Sequence, residues 1–337
     1  MKRKTVEDRI NKVFSDSVPD VLDNILKVCE EKKGFDYDMK KYKITEKKSS
    51  RFRLYNFIGV GAVACVAIIG FINLYNNDRV ESVIGFDVNP SVELKVNKNE
   101  RVIDVDALNK DGEVILKDMD FENVDLDVVV NALIGSMVKN GFLTVDENSI
   151  LVSVKSNNSD KEVELKNNIT KEVNSILKSV SIDGSILSQT LDDNKKIEKL
   201  ADKYDISIGK AKLVSDVVDS GLTNSKGEVY NEESLVKLSI NELNLLLTSK
   251  NANISDVTYN GVSASEKSYI GNDKAKEIAL DNAKLSSSDA FGLEVEFDCD
   301  NGKLVYEVDF ESKNKDYEYE IDAKTGNIIK KDVEIDD

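Results

Sequence analysis
The 337-residue chain is 40% apolar and 32% charged, ordinary proportions for folded protein, and its length accommodates two or three domains. It contains no histidine and only three cysteines, Cys29, Cys65 and Cys299, which excludes Ser-His-Asp triads, Cys-His dyads and His/Cys zinc sites. The net charge of -17 is unevenly divided: residues 1–53 hold 15 Lys and Arg against 10 Asp and Glu, whereas the remainder carries -22. That acidity argues against direct binding to nucleic acid.

Residues 1–53 show apolar positions at helical spacing, first Val6, Ile10, Val13 and Phe14, then Val18, Val21, Leu22, Ile25, Leu26 and Cys29. Ser17 caps the second helix, Pro19 falls in its first turn and Gly34 stops it. A segment of about 50 residues with one stripe per helix buries too little surface to fold alone. Three readings stay open: helix-in-groove binding to a cytoplasmic protein through Val18, Val21, Leu22, Ile25 and Leu26, a self-paired hairpin, or a disordered leader. Leu54 to Asn77 gives 24 consecutive uncharged residues, more than the roughly 20 needed to cross a bilayer as a helix. This reads as a transmembrane helix rather than the shorter apolar core of a signal peptide, with Tyr55 and Tyr75 near its ends. Lys47, Lys48, Arg51 and Arg53 precede it and only Arg79 follows closely, which places the N-terminus in the cytoplasm and residues 78–337 outside.

Beyond the membrane, Ser82 to Leu116 alternates with period two and is punctuated by Asn97-Lys98-Asn99-Glu100 and Asn109-Lys110-Asp111-Gly112, predicting a three-stranded meander. A helix is predicted over 126–140, stopped by Gly141, then a strand over 150–154. Residues 159–250 carry helical periodicities and predict an all-helical subdomain; 251–268 is polar and serine-rich, a linker. Residues 269–337 predict a helix from Asp273 followed by strands at Leu293-Val295-Phe297, Tyr306-Val308-Phe310 and Tyr317-Tyr319-Ile321. The fold class is α+β. Cys299 reads as a small buried hydrophobe, and Asp298-Cys299-Asp300-Asn301-Gly302 as a hairpin turn lacking the glutamate of a calcium loop, so no metal or other cofactor is expected.

One segment carries chemistry. If Phe86 to Leu94 is a strand, Phe86, Val88, Pro90, Val92 and Leu94 face the core, while Asp87, Asn89, Ser91 and Glu93 share the other face. Asparagine normally deamidates by attack of the next backbone nitrogen, but Pro90 has no N–H to make that attack. The remaining cyclisation sends the Asn89 side-chain nitrogen onto its own carbonyl carbon, expels the Pro90 nitrogen and cuts the chain. It needs a strained peptide and proton transfer, for which Asp87, Ser91 and Glu93 are candidates. The competing reading is a plain Asn-Pro turn.

The run Ser82-Val83-Ile84-Gly85-Phe86-Asp87-Val88-Asn89-Pro90-Ser91-Val92-Glu93-Leu94, with Arg101-Val102-Ile103 and Asn109-Lys110-Asp111-Gly112, resembles the region just outside the membrane in RsgI-type anti-sigma factors of clostridia and bacilli. The likeness continues in Ile206-Ser207-Ile208-Gly209-Lys210-Ala211 and Lys237-Leu238-Ser239-Ile240-Asn241-Glu242-Leu243. The last module, with Ala275, Ala279 and Ala283 on its helix and Tyr317 to Gly326 after it, is similar to a PepSY domain. The resemblance implies self-cleavage at Asn89-Pro90, with the two halves staying together. Many such proteins have a β-rich cytoplasmic domain, whereas residues 1–53 here read as helical.

The organisation expected is a cytoplasmic sigma-binding segment (1–53), a transmembrane helix (54–77), a juxtamembrane α+β domain with the Asn-Pro site (78–158), a helical subdomain (159–250), a linker (251–268) and a PepSY-like domain (269–337). The expected function is that of a single-pass anti-sigma factor in the cell membrane, no turnover enzyme. It would hold a SigI-like sigma factor, sense an extracellular signal such as a cell-wall or polysaccharide ligand, and be primed by self-cleavage for an intramembrane protease. The alternative is a membrane-anchored extracellular PepSY-type binding or protease-inhibitory protein with no sigma partner.

Overall fold
A computed structural model describes residues 79–335. Its central element is a short strand, β1 (Ser82–Asp87), hydrogen-bonded antiparallel to β2 (Ser91–Val96) on one side and to β5 (Ser149–Ser156) on the other. β3 (Arg101–Ala107) and β4 (Val124–Asp125) extend the sheet past β2, and β6 (Ser185–Thr190) and β7 (Thr258–Gly261) extend it past β5. The order is β4-β3-β2-β1-β5-β6-β7. β5 and β6 run parallel and are joined by a helical crossover, as parallel strands require. Three helices belong to this part of the chain: α1 (Lys110–Leu116), α2 (Leu126–Lys139) and the crossover α3 (Ser159–Ser179).

Side-chain alternation along the strands divides the interior into two cores. Ile84, Phe86, Val92, Leu94, Ile150, Val152, Val154 and Ile186 face α2 and α3 in one apolar layer. Leu151 and Leu187 point the opposite way, toward α5 (Ile208–Asp219), α6 (Glu232–Leu235) and α7 (Ile240–Ser249), while α4 (Lys195–Tyr204) packs on α5. This second face also holds buried polar groups that pair with one another. Asn244 donates to Ser149 Oγ (3.1 Å) and Ser185 Oγ (2.8 Å), and Ser149 donates to Asn241 Oδ1 (2.8 Å). Gln189 donates to Ser153 Oγ (3.0 Å) and to the Gly209 carbonyl (2.7 Å).

In the last module, α8 (Asn272–Ala283) lays Ala275, Ala279 and Leu280 toward a four-stranded sheet. Its strands are β8 (Phe291–Asp300), β9 (Lys303–Glu311), β10 (Lys315–Asp322) and β11 (Ile328–Ile335), in the order β11-β10-β9-β8. Tyr306, Val308, Phe310, Tyr319 and Ile321 belong to the same core as α5 and α7, so the two sheets are joined through one apolar interior. Lys324 adds ion pairs to Glu242 on α7 (3.1 Å) and to Glu147 (3.6 Å). Cys299 is buried, and Asn301 and Gly302 turn β8 into β9 with φ of 48° and 81°. Asp298 accepts from the Tyr230 hydroxyl and from the Ser225 N–H.

Three expectations are corrected. Residues 159–250 are not all helical, because Ser185–Thr190 forms β6; its apolar signal is only Ile186 and Leu187, and its buried Ser185, Ser188 and Gln189 read as loop until their partners are seen. Residues 251–268 are not a free linker, because they contain β7 and bury Ile254, Val257 and Ala264, with Asn148 bonding to the backbone of Ser263 and Ser265. Asn109-Lys110-Asp111-Gly112 is not a meander turn but the cap and first turn of α1. No helix among the described residues is long and apolar enough to cross a membrane; the expected helix at 54–77, like the stripe at 1–53, lies outside the described residues.

Replacing Asn244 by leucine leaves the Ser149 and Ser185 hydroxyls buried without this donor. The urea unfolding free energy is expected to fall by about 1–3 kcal/mol, more than for a surface asparagine.

Candidate functional site at the Asn89-Pro90 loop
The single strand expected over Phe86–Leu94 is a hairpin: Asp87 stands opposite Ser91 in register, and Val88-Asn89-Pro90 forms the loop between β1 and β2. Proline cannot donate to a ladder, and the Val88 N–H instead donates to the Pro90 carbonyl at 3.0 Å, closing the loop on itself. Val88 and Pro90 are buried, leaving Asn89 exposed at the tip.

Two other elements grip this loop. From α7, the Ile240 N–H donates to the Val88 carbonyl (3.3 Å). From the start of α1, Asn109 Nδ2 donates to the Asn89 carbonyl (2.7 Å), and Asn89 Nδ2 donates to Asp111 Oδ2 (2.9 Å). Asn109 Oδ1 accepts from the backbone N–H groups of Gly112 (2.8 Å) and Ser91 (3.2 Å). Two backbone donors on that oxygen fix the amide orientation, so the nitrogen must face Asn89. A Cβ at Gly112 would come within 2.6 Å of the Ser91 carbonyl oxygen, so only glycine lets α1 approach this closely.

Behind the loop lies a cavity of about 100 Å³ whose walls include Asp87, Ser91, Asn109, Ser207, Lys210 and Ile240. Asp87 is 2% exposed, and among the described residues neither of its oxygens has a hydrogen bond of normal geometry. Burial pushes its carboxyl above the ordinary 3.8, and the nearby Ser91 and Ser207 hydroxyls and Lys210 ammonium offset only part of this. Burial also lowers Lys210, against the pull of Asp87 and Glu242. The first turn of α5 closes the cavity; a Cβ at Gly209 would meet Ser153 Oγ at 2.3 Å and Asp87 Oδ2 at 3.0 Å.

Of the residues singled out from sequence, Asp87, Asn89 and Ser91 meet here, whereas Glu93, half-buried beside Lys95 and Asp106, does not line the cavity. Val18, Val21, Leu22, Ile25 and Leu26 lie outside the described residues. The segments Ile206–Ala211 and Lys237–Leu243, far apart in sequence, both reach the loop, through Ser207, Lys210 and Ile240. Asn109 and Asp111 were hidden within an apparent turn. The available signal was a helix start, an Asn cap ahead of Val114-Ile115-Leu116.

Fold and site together define a two-module α+β protein whose first module is built around a strand ending at an Asn-Pro loop. Residues 81–216 match the family described as the anti-sigma factor RsgI-like central domain, and residues 270–332 match the peptidase propeptide and YPEB domain, PepSY. Anti-sigma-I factor RsgI7 of Acetivibrio thermocellus is 32% identical over 158 residues, 46% of this chain and 28% of that protein. Anti-sigma-I factor RsgI of Bacillus anthracis is 34% identical over 114 residues, 32% of this chain and 26% of that protein. RsgI of Bacillus subtilis is 24% identical over 162 residues, 47% of this chain and 42% of that protein. The chain therefore carries an RsgI-like central domain followed by a PepSY domain, and it spans less than half the length of each of these three relatives.

A carboxyl that ionises less readily in the folded state than in the unfolded state makes stability decline as pH rises above its unfolded value. The wild-type unfolding free energy should therefore contain a component that falls from about pH 4 toward neutrality. Asp87→Asn should lack it, as read from urea titrations at several pH values.

Proposed function
We propose that this protein is a membrane-anchored anti-sigma factor that cleaves itself once, between Asn89 and Pro90. The observation that carries this reading is an RsgI-like central domain in which the Asn-Pro bond sits in a clamped loop, with both its carbonyl and the Asn89 amide engaged. The relatives' names as anti-sigma-I factors support the regulatory role.

In the proposed reaction Asn89 Nδ2 bonds to the Asn89 carbonyl carbon and the bond to the Pro90 nitrogen breaks. The amide loses one proton and the Pro90 nitrogen gains one. Fragment 1–89 then ends in a succinimide, and no water is consumed. Asp87, whose carboxyl burial pushes above the ordinary value, supplies the proton to the leaving nitrogen, with the Ser91 hydroxyl beside it. After the cut, fragment 1–89 stays in place through β1, paired on both edges and with Ile84 and Phe86 fully buried.

The helix at 54–77 anchors the chain with residues 1–53 in the cytoplasm, where the stripe Val18, Val21, Leu22, Ile25 and Leu26 holds a SigI-like sigma factor. A signal at the extracellular surface, from cell wall or polysaccharide, pulls the fragments apart and exposes the anchored stub to an intramembrane protease, which frees the sigma factor.

Mass spectrometry of the full-length protein tests the first step. Fragments 1–89 and 90–337 are expected, their masses summing to that of the intact chain with no added water, and Asn89→Ala is expected to remain whole. An intact wild type overturns self-cleavage; a fragment 1–89 that carries the extra water from its first appearance, rather than gaining it later as the succinimide hydrolyses, overturns the cyclisation route. For the partner, residues 1–53 should retain a sigma factor in a pull-down, and Leu22→Asp should lose it. Failure of the wild-type segment to retain one overturns the sigma-holding role.

A further inference from the structure
Self-cleavage by cyclisation makes two demands that Asp87, as proton donor to the leaving nitrogen, does not meet. The primary amide is a poor nucleophile unless its proton is taken, and the carbonyl oxygen must carry negative charge as the ring closes. Both atoms are contacted from one short stretch that β1 and β2 do not contain. The Asn89 carbonyl receives Asn109 Nδ2 at 2.7 Å, and Asn89 Nδ2 meets Asp111 Oδ2 at 2.9 Å. Deepening the self-cleavage reading, on which this rests, we propose that Asn109 and Asp111 are catalytic residues, Asn109 stabilising the oxyanion and Asp111 accepting the amide proton.

The geometry is set up independently of the reaction. Asn109 cannot rotate its amide without abandoning the Gly112 and Ser91 N–H groups, so its donor is held toward Asn89 before any charge forms. Gly112 lets the backbone close to the hairpin. Asp111, two residues along, approaches the other reacting atom of Asn89. In the reaction, as Nδ2 bonds to the carbonyl carbon, one Nδ2 proton passes to the Asp111 carboxylate. The charge on the carbonyl oxygen is held by Asn109, and collapse of that intermediate expels the Pro90 nitrogen, which takes its proton from Asp87. The reactive asparagine and the groups that activate it thus lie on opposite sides of the bond that breaks. Fragment 1–89 contributes the nucleophile, while fragment 90–337 contributes the oxyanion donor and the base.

The test follows pulse-labelled full-length protein after synthesis, measuring conversion to fragments after denaturation. Asn109→Asp keeps an acceptor for Gly112 and Ser91 but removes the donor; it should slow cleavage about a hundredfold. Asp111→Asn keeps the shape but takes up no proton, and a loss of about a hundredfold or more is expected, with partial recovery in Asp111→Glu. Thermal midpoints of the uncleaved Asn109→Asp and Asp111→Asn chains should match that of uncleaved Asn89→Ala, since a merely structural role would lower midpoint and rate together. If Asn109→Asp does lower the midpoint, Asn109→Ser, which retains a helix cap while withdrawing the amide, decides the question by its rate. Cleavage at the wild-type rate in both the Asn109 and Asp111 variants overturns this inference while leaving self-cleavage standing. A wild type that never splits overturns both.

Discussion
The placement of β1 in the interior of the sheet, paired on both edges and ending at Asp87, constrains everything around the Asn-Pro bond. A strand with neighbours on both sides cannot shift without breaking two ladders, so Asp87 and Ser91 are fixed opposite each other and the loop 88–90 must close in the space that remains. Burial of Ile84 and Phe86 adds about 1.5–3 kcal/mol each to the hold on the strand. β1 is held by main-chain hydrogen bonds on both edges and by alternate side-chain pockets, contacts that do not run through the Asn-Pro bond.

The sheet's two faces serve different ends. One is apolar and closed by α2 and α3. The other carries serines, Gln189 and Asp87, and the helices that cover it bring amides and hydroxyls to meet them. Around Asp87 this matching stops short. Gly209 and Ser207 close over the carboxyl without a hydrogen bond of normal geometry, and burial in that space pushes its ionisation above the ordinary carboxylate range.

The C-terminal module is not an independent bead. Its sheet shares a core with α5 and α7, Lys324 bridges to Glu242 on α7, and α7 itself contributes the Ile240 N–H that holds the Val88 carbonyl. One helix therefore touches both the PepSY module and the loop. This contact continuity gives a short physical route between the outer module and the Asn-Pro bond.

From the residues alone, the Asn-Pro dipeptide, the alternation of β1 to β3, the helix at 126–140 and the helix-then-strands pattern of the last module were legible, because each depends on local periodicity or on the missing proline N–H. β6 and β7 were not, since their buried serines and glutamine are acceptable only once Asn244, Gly209 and the neighbouring strands supply partners. The hairpin break at Val88-Asn89-Pro90 was hidden because its residues alternate as a continuous strand does, and pairing with β5 and the Pro90 turn decided otherwise. Sequence by itself determined which bond is chemically singular, for that follows from covalent structure. Only the tertiary fold decided what surrounds it, because Asn109, Asp111, Ser207, Lys210 and Ile240 are brought to Asn89 by sheet order and helix docking, and no local pattern encodes those distances.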